Sequence, residues 1–114
     1  MDCDLHIHTL NSDGSMSVRD VIYYAKRSGL KSVAISDHDT MSGVDEAVEV
    51  GKTIGLNVIP AVETTVIDCK RSRPVHILCY YPQNTKLLQD FLQGTLNNRK
   101  IQKLEMIKKI QYQY

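Results

Sequence analysis

Apolar and polar positions switch between two periods along this chain. Cys3-Asp4-Leu5-His6-Ile7-His8 is a short, partly alternating run that ends at the turn-rich Asn11-Ser12-Asp13-Gly14-Ser15, which predicts a strand followed by a loop. From Ser17 the period lengthens. Val18, Val21, Ile22 and Ala25 recur at i, i+3, i+4 and i+7, Asp20 stands three residues after Ser17 as in a capping box, and Gly29 is a natural stop, so a helix is expected. The unit then repeats: Lys31 to Ser36 reads as a short apolar strand, Asp37 to Gly43 as a polar loop, and Val44, Ala47, Val48, Gly51 and Ile54 as one face of a helix ending at Gly55. A third strand is expected at Asn57 to Val62. Strands alternating with helices across short loops imply a parallel sheet with right-handed crossovers, either open or part of a barrel.

The rhythm changes after Glu63. Thr64 to Cys69 and Val75 to Tyr81 are β-rich runs separated by the polar Lys70-Arg71-Ser72-Arg73-Pro74, which predicts a hairpin-like excursion. From Thr85 the composition is helical, with Leu87, Leu88, Phe91 and Leu92, then Leu96, Ile101, Leu104, Ile107 and Ile110, and a break is expected near Gly94. No linker, internal repeat or low-complexity stretch interrupts the 114 residues.

Composition narrows the classes. With 42% hydrophobic residues and a formal net charge of +1 the chain fits one small globular domain, and it lacks the clustered basic surface of a protein that coats nucleic acid. A small phosphorylated ligand remains compatible with this charge. The three cysteines are odd in number and without C-x-x-C spacing, which argues against a disulfide framework or a cysteine-based metal site. The acids and histidines within the first eight residues are incompatible with a signal peptide, and no run is long and apolar enough to span a bilayer. The expected location is the cytoplasm.

The chemistry is concentrated at the ends of the predicted strands. His6 and His8, two apart on a strand, project from one face and can converge on one ion. Asp13 follows in the first strand–helix loop, His38 in the second, and Glu63 immediately after the third strand. Parallel α/β sheets collect their functional groups at the carboxyl ends of strands, and a random scatter of acids and histidines would not track them. Mixed imidazole and carboxylate donors suit zinc, manganese or iron better than calcium or magnesium. Glu63 is placed to bridge ions with its two oxygens, and Asp37 and Asp39 to orient the His38 ring. Taken singly, each motif has a plainer reading: Asp37-His38-Asp39-Thr40 as a solvated loop capping a helix, Asn11-Ser12-Asp13-Gly14 as an ordinary turn, and His76, early in its strand, as a histidine on a sheet face.

In combination these residues resemble the polymerase and histidinol phosphatase (PHP) superfamily, in its small bacterial phosphoesterase branch. The resemblance is carried by Asp4-Leu5-His6-Ile7-His8-Thr9, Ser12-Asp13-Gly14, Ala34-Ile35-Ser36-Asp37-His38-Asp39-Thr40, Ile59-Pro60-Ala61-Val62-Glu63 and Val75-His76-Ile77-Leu78, in that order, and extends through a helix around Arg99 to Ile107. It implies a fold that is the N-terminal portion of a distorted (β/α)7 barrel over residues 1–114, with parallel strands and alternating helices. It implies that His6 and His8 bind a first divalent ion, Asp13 and His38 a second, that Glu63 bridges, and that His76 helps to hold a third, with Glu63, Asp13 and His38 serving catalysis and Arg99 holding the phosphate of the substrate. The implied cofactors are up to three manganese, zinc or iron ions. The implied reaction is hydrolysis of a phosphate ester of a nucleotide, short oligonucleotide or similar small molecule by a metal-bridging hydroxide.

The chain also departs from that pattern. Members of the branch are more than twice as long and draw further ligands, a His and an Asp-x-His pair, from their C-terminal half, whereas no His follows His76 here. The expectation is a partial barrel, completed by a missing C-terminal half or shielded by a homo-oligomer. The alternative is a catalytically incomplete metal-binding or interaction domain.

Overall fold

The computed structural model describes residues 3–83 and 86–97. It is an α/β structure in which β1 (Cys3–Ile7), α1 (Val18–Arg27), β2 (Ser32–Ile35), α2 (Val44–Ile54), β3 (Asn57–Asp68) and β4 (Arg73–Tyr80) follow one another, with a third helical stretch, α3, over residues 86–97. The strands form one curled sheet in the order β1-β2-β3-β4, parallel from β1 to β3 and antiparallel between β3 and β4, as in part of a PHP barrel.

Local signals account for both crossover helices. Ser17 is the N-cap of α1 and its hydroxyl accepts the N–H of Asp20, while Gly29, just past the helix, takes the left-handed conformation at φ 88°. α2 ends on Gly55, also left-handed at φ 75°. The α1 face buried is the one read from its period, Val18, Val21, Ile22 and Ala25. In α2 the buried face is Val44, Ala47, Val50 and Gly51, so Val50 replaces Val48 at its centre. Both helices lie on the outer side of the sheet, where Ile22, Val33 and Ile35 are almost wholly buried in one cluster. Each such side chain stabilises the fold by about 1.5–3 kcal/mol relative to exposure.

Two expectations are corrected. The third strand and the β-rich run after Glu63 are a single strand, β3, which changes partner as it passes the glutamate. Asn57 to Pro60 pair in parallel with β2, whereas Ala61 to Asp68 pair antiparallel with β4. Glu63 therefore lies inside a strand rather than after one, yet it sits just beyond the parallel ladder, bridged to His38. The helix at 86–97 runs through Gly94 without the expected break. One glycine costs a helix only about 1 kcal/mol relative to alanine, and Leu92, 1% exposed, anchors the helix in a second cluster with Met41, Val44 and Val62. The expected continuation of this helix, including Arg99, lies outside the described residues.

Candidate metal centre

Each functional side chain comes from a separate element at one end of the parallel strands. His6 is on β1 and His8 just after it, Asp13 is in the β1–α1 loop, His38 in the β2–α2 loop, Glu63 within β3 and His76 on β4. The hairpin brings His76 back because β4 runs antiparallel to β3: His76 pairs with Thr65, two residues along the strand from Glu63 and hence on the same face.

Glu63 is the hub. Its side chain is only 6% exposed, and four imidazoles surround it, two to each oxygen. Oε1 lies 2.5 Å from His6 Nε2 and 3.2 Å from His8 Nε2. Oε2 lies 3.2 Å from His38 Nδ1 and 3.5 Å from His76 Nδ1. Asp13, 62% exposed at the rim, is 2.7 Å from His8 Nδ1 and 3.3 Å from His38 Nε2. The donors fall into three overlapping groups, His6/His8/Glu63, His8/Asp13/His38 and His38/Glu63/His76, and within each the ligand atoms lie within 4.8 Å of one another. The structure thus brings together all six residues expected from the sequence; Arg99, the expected phosphate contact, lies outside the described residues.

The donor set fits divalent ions. A neutral imidazole carries one N–H, yet both nitrogens of His8 and of His38 face carboxylate oxygens, which only a doubly protonated ring or intervening cations satisfy. His38 Nδ1 is in addition buried without an aligned hydrogen-bond partner, although Glu63 Oε2 is near. A buried ring nitrogen in that state is what a metal ligand presents when its ion is taken away. Electrostatics agree. Desolvation pushes the Glu63 carboxyl up, but hydrogen bonds from His6 and His8 and the charge of His38 outweigh it and hold the group below its ordinary value. At Asp13, likewise, desolvation is opposed by the His8 and His38 charges and the His8 hydrogen bond, with a net lowering.

Both acids that flank His38 hold partners on other elements. Asp37 is buried and its carboxylate accepts the N–H of Thr9 at 2.6 Å, the Thr9 hydroxyl at 2.7 Å and the Ser12 hydroxyl at 2.7 Å. Asp39, also buried and left-handed at φ 54°, accepts the N–H of Thr65 at 3.0 Å. One acid thus fixes the loop that carries His8 and Asp13, and the other fixes the strand that carries Glu63. Thr9, Ser12 and Thr65 were not anticipated as supports of the site. The alternation of acid, His and acid in the β2–α2 loop is the signal the sequence offers, since in an extended stretch the two acids point away from the side taken by His38.

The PHP domain family model matches residues 4–113. The chain belongs to the PHP domain family. It is 39% identical over 75 residues to a phosphoribosyl 1,2-cyclic phosphate 1,2-diphosphodiesterase of Eggerthella lenta, covering 66% of this chain and 29% of that protein. It is 35% identical over 91 residues to a 5'-3' exoribonuclease of Haemophilus influenzae, covering 75% of this chain and 32% of the relative. Among solved structures, a Bifidobacterium adolescentis protein assigned as a metal-dependent phosphoesterase superposes with a TM-score of 0.85 at 31% identity, covering all of this chain and 40% of its own. An amidohydrolase from Chromobacterium violaceum, solved with bound sulfate and no metal, superposes with a TM-score of 0.79 at 27% identity over 87% of this chain and 34% of its own. This PHP chain therefore spans about a third of the length of these two curated relatives. No helix among the described residues is long and apolar enough to cross a membrane.

Proposed function

We propose that this chain contributes the metal centre of a phosphoester hydrolase acting on a nucleotide, short oligonucleotide or similar small phosphorylated molecule. The observation that carries the reading is the ring of four imidazoles around the two oxygens of buried Glu63, with Asp13 at the rim. His6, His8 and Glu63 would hold one ion, His8, Asp13 and His38 a second, and His38, Glu63 and His76 a third. Manganese, zinc and iron match these donors. Divalent ions in such a site lower the pKa of bound water and neutralise charge as the P–O bond breaks.

The chain's own residues supply the rest. Glu63 keeps its negative charge at neutral pH, as its lowered pKa requires, and so balances more than one cation without a proton of its own. Asp13, exposed at the rim, is the more solvent-facing of the two carboxylates and would meet an incoming phosphate ester first. His38 reaches both carboxylates and couples the rim to the buried hub. Arg99 is assigned to hold the substrate phosphate through a paired guanidinium contact. The similarity to a cyclic phosphate diphosphodiesterase and an exoribonuclease supports this substrate range.

A second reading, a metal-binding or interaction module without turnover, is favoured by the openness of the site at two of its ligands: the His6 and His76 side chains are each 54% exposed. Mutation separates the two. Protein supplied with manganese or zinc should release phosphate from a panel of nucleotides, and His8→Ala or Glu63→Ala should abolish release. If the unmodified protein releases none while still binding the ion, the second reading stands. If Arg99→Ala leaves nucleotide affinity unchanged, the phosphate assignment fails.

A further inference from the structure

β1 contains an irregularity within its five residues. Asp4 pairs with Val33 and Ile7 with Ile35, so three steps along β1 oppose two along β2. The extra residue falls at Leu5–His6, as in a β-bulge. Leu5 C=O and His6 N–H belong to one peptide unit, and side chains hold both of its polar ends. The Tyr80 hydroxyl donates to the Leu5 carbonyl at 2.6 Å from 75 residues away, and Asp4 Oδ1 accepts the His6 N–H at 3.2 Å.

The consequence falls on His6. The peptide beneath the ring sets its place, and His6 Nε2 lies 2.5 Å from Glu63 Oε1 beside His8, two residues on and on the same face. The ring is 54% exposed, so packing constrains it weakly and the backbone beneath it decides where Nε2 sits. Tyr80 ends β4, and Leu5 lies on β1, so this one hydrogen bond joins the first and last strands of the sheet order. The curl of the sheet and the aim of His6 are therefore fixed at the same peptide.

We infer that Tyr80 and Asp4 are positioning residues for His6. Together they hold the bulged Leu5–His6 peptide, and so set the His6 arm of the His6/His8/Glu63 group without themselves touching an ion. The inference rests on the metal centre proposed above, and its reach is limited: the His38/Glu63/His76 group takes no residue from β1 and shares only Glu63 with the His6 group, so it should feel the change less.

The test is titration of metal-free protein with zinc, followed through the imidazole nitrogen resonances, in the unmodified chain and in Tyr80→Phe, Asp4→Ala and Asp4→Asn. Tyr80→Phe and Asp4→Ala should weaken the binding reported by His6 about tenfold, the lower end of the usual effect of losing a supporting contact, and change the binding reported by His76 clearly less. Asp4→Asn keeps an acceptor oxygen and should restore the His6 response. Before any metal is added, exchange of the His6 amide hydrogen should be faster in Tyr80→Phe and Asp4→Ala. Unchanged His6 affinity and amide exchange, or equal losses at His6 and His76, would overturn the inference. Should Tyr80→Phe fail to fold, the contrast between Asp4→Ala and Asp4→Asn decides. An unmodified protein that binds no zinc would sink the metal centre instead, and the amide-exchange arm would still decide whether Tyr80 and Asp4 hold the peptide.

Discussion

Asp37 and Thr9 are joined twice, the Thr9 N–H donating to Oδ1 and its hydroxyl to Oδ2, between two residues that are both buried. The pair locks the loop after β1 to the end of β2, and Ser12 adds a third donor to the same carboxylate. His8 precedes Thr9 and Asp13 follows Ser12, so the geometry of the His8/Asp13/His38 group is inherited from Asp37.

Asp37→Ala strands all three donors. Leaving a buried donor unsatisfied costs about 1–3 kcal/mol, and since Ser12 can turn to water the two Thr9 donors set an expected loss of about 2–6 kcal/mol. Urea unfolding of the metal-free protein measures it. Asp37→Asn, which retains one acceptor oxygen, should lose less; equal losses in the two variants would show that the carboxylate's bonds are not what holds the loop.

Gly14 makes a second demand on the same loop. A Cβ there would stand 2.6 Å from the His8 carbonyl carbon and 2.8 Å from Thr9 Cα, both backbone atoms that cannot turn aside. Gly14→Ala must therefore move the loop and carry Asp13 away from His8 and His38. The expected cost is about 1–3 kcal/mol of stability, as for other overpacked sites, with metal affinity falling at the His8/Asp13/His38 group first. Calorimetric titration with manganese would report the affinity, and unaltered binding would refute the close approach.

The parts of this structure that could be read from the sequence are those decided locally. Ser17, Asp20 and Gly29 bound α1 through contacts within a few residues, and Gly55 ends α2 by its left-handed backbone, so both helices were legible to within a residue or two. The convergence of the candidate ligands was legible because strand ends are marked by turn residues and these residues follow those marks. What could not be read depends on partners distant in sequence. β3 looked like two strands because its change from a parallel to an antiparallel neighbour leaves no local trace, and Glu63 consequently looked terminal. Asp37 and Asp39 looked like supports for the histidine between them, whereas their partners are 28 and 26 residues away. The Leu5 carbonyl takes a hydroxyl from the far end of β4, a contact that no window of sequence contains.

The ligand groups overlap unequally, and this asymmetry is testable. Glu63 belongs to two of the three groups and Asp13 to one. Glu63→Gln should therefore lower the number of zinc ions retained more than Asp13→Asn does, as measured by elemental analysis of protein prepared without chelator. For the unmodified chain, free ion at a hundredfold excess over its dissociation constant should stabilise the fold by about 2.7 kcal/mol, reversed by chelator. Equal retention by the two variants would mean that Glu63 does not bridge.

Leu92 and Gly94 test whether α3 is docked as the structure has it. Leu92 is buried against Met41, Val44 and Val62 with Leu88 partly buried beside it, while Leu87 and Phe91 on the same helix are 66% and 59% exposed, so Leu92 is the most deeply buried anchor of the helix. Leu92→Ala should cost about 2–5 kcal/mol, the range for emptying a buried leucine site. Gly94 is helical with nothing within 4 Å of where a Cβ would stand, so alanine there meets no obstacle and removes the entropy cost of glycine. Gly94→Ala should raise stability by about 0.4–1 kcal/mol. Opposite signs for two substitutions two residues apart are what a continuous, one-face-docked helix requires. A helix broken at Gly94, with the glycine serving as a turn, would instead make the alanine variant the less stable protein, and an undocked helix would leave Leu92→Ala without effect in the same urea titration.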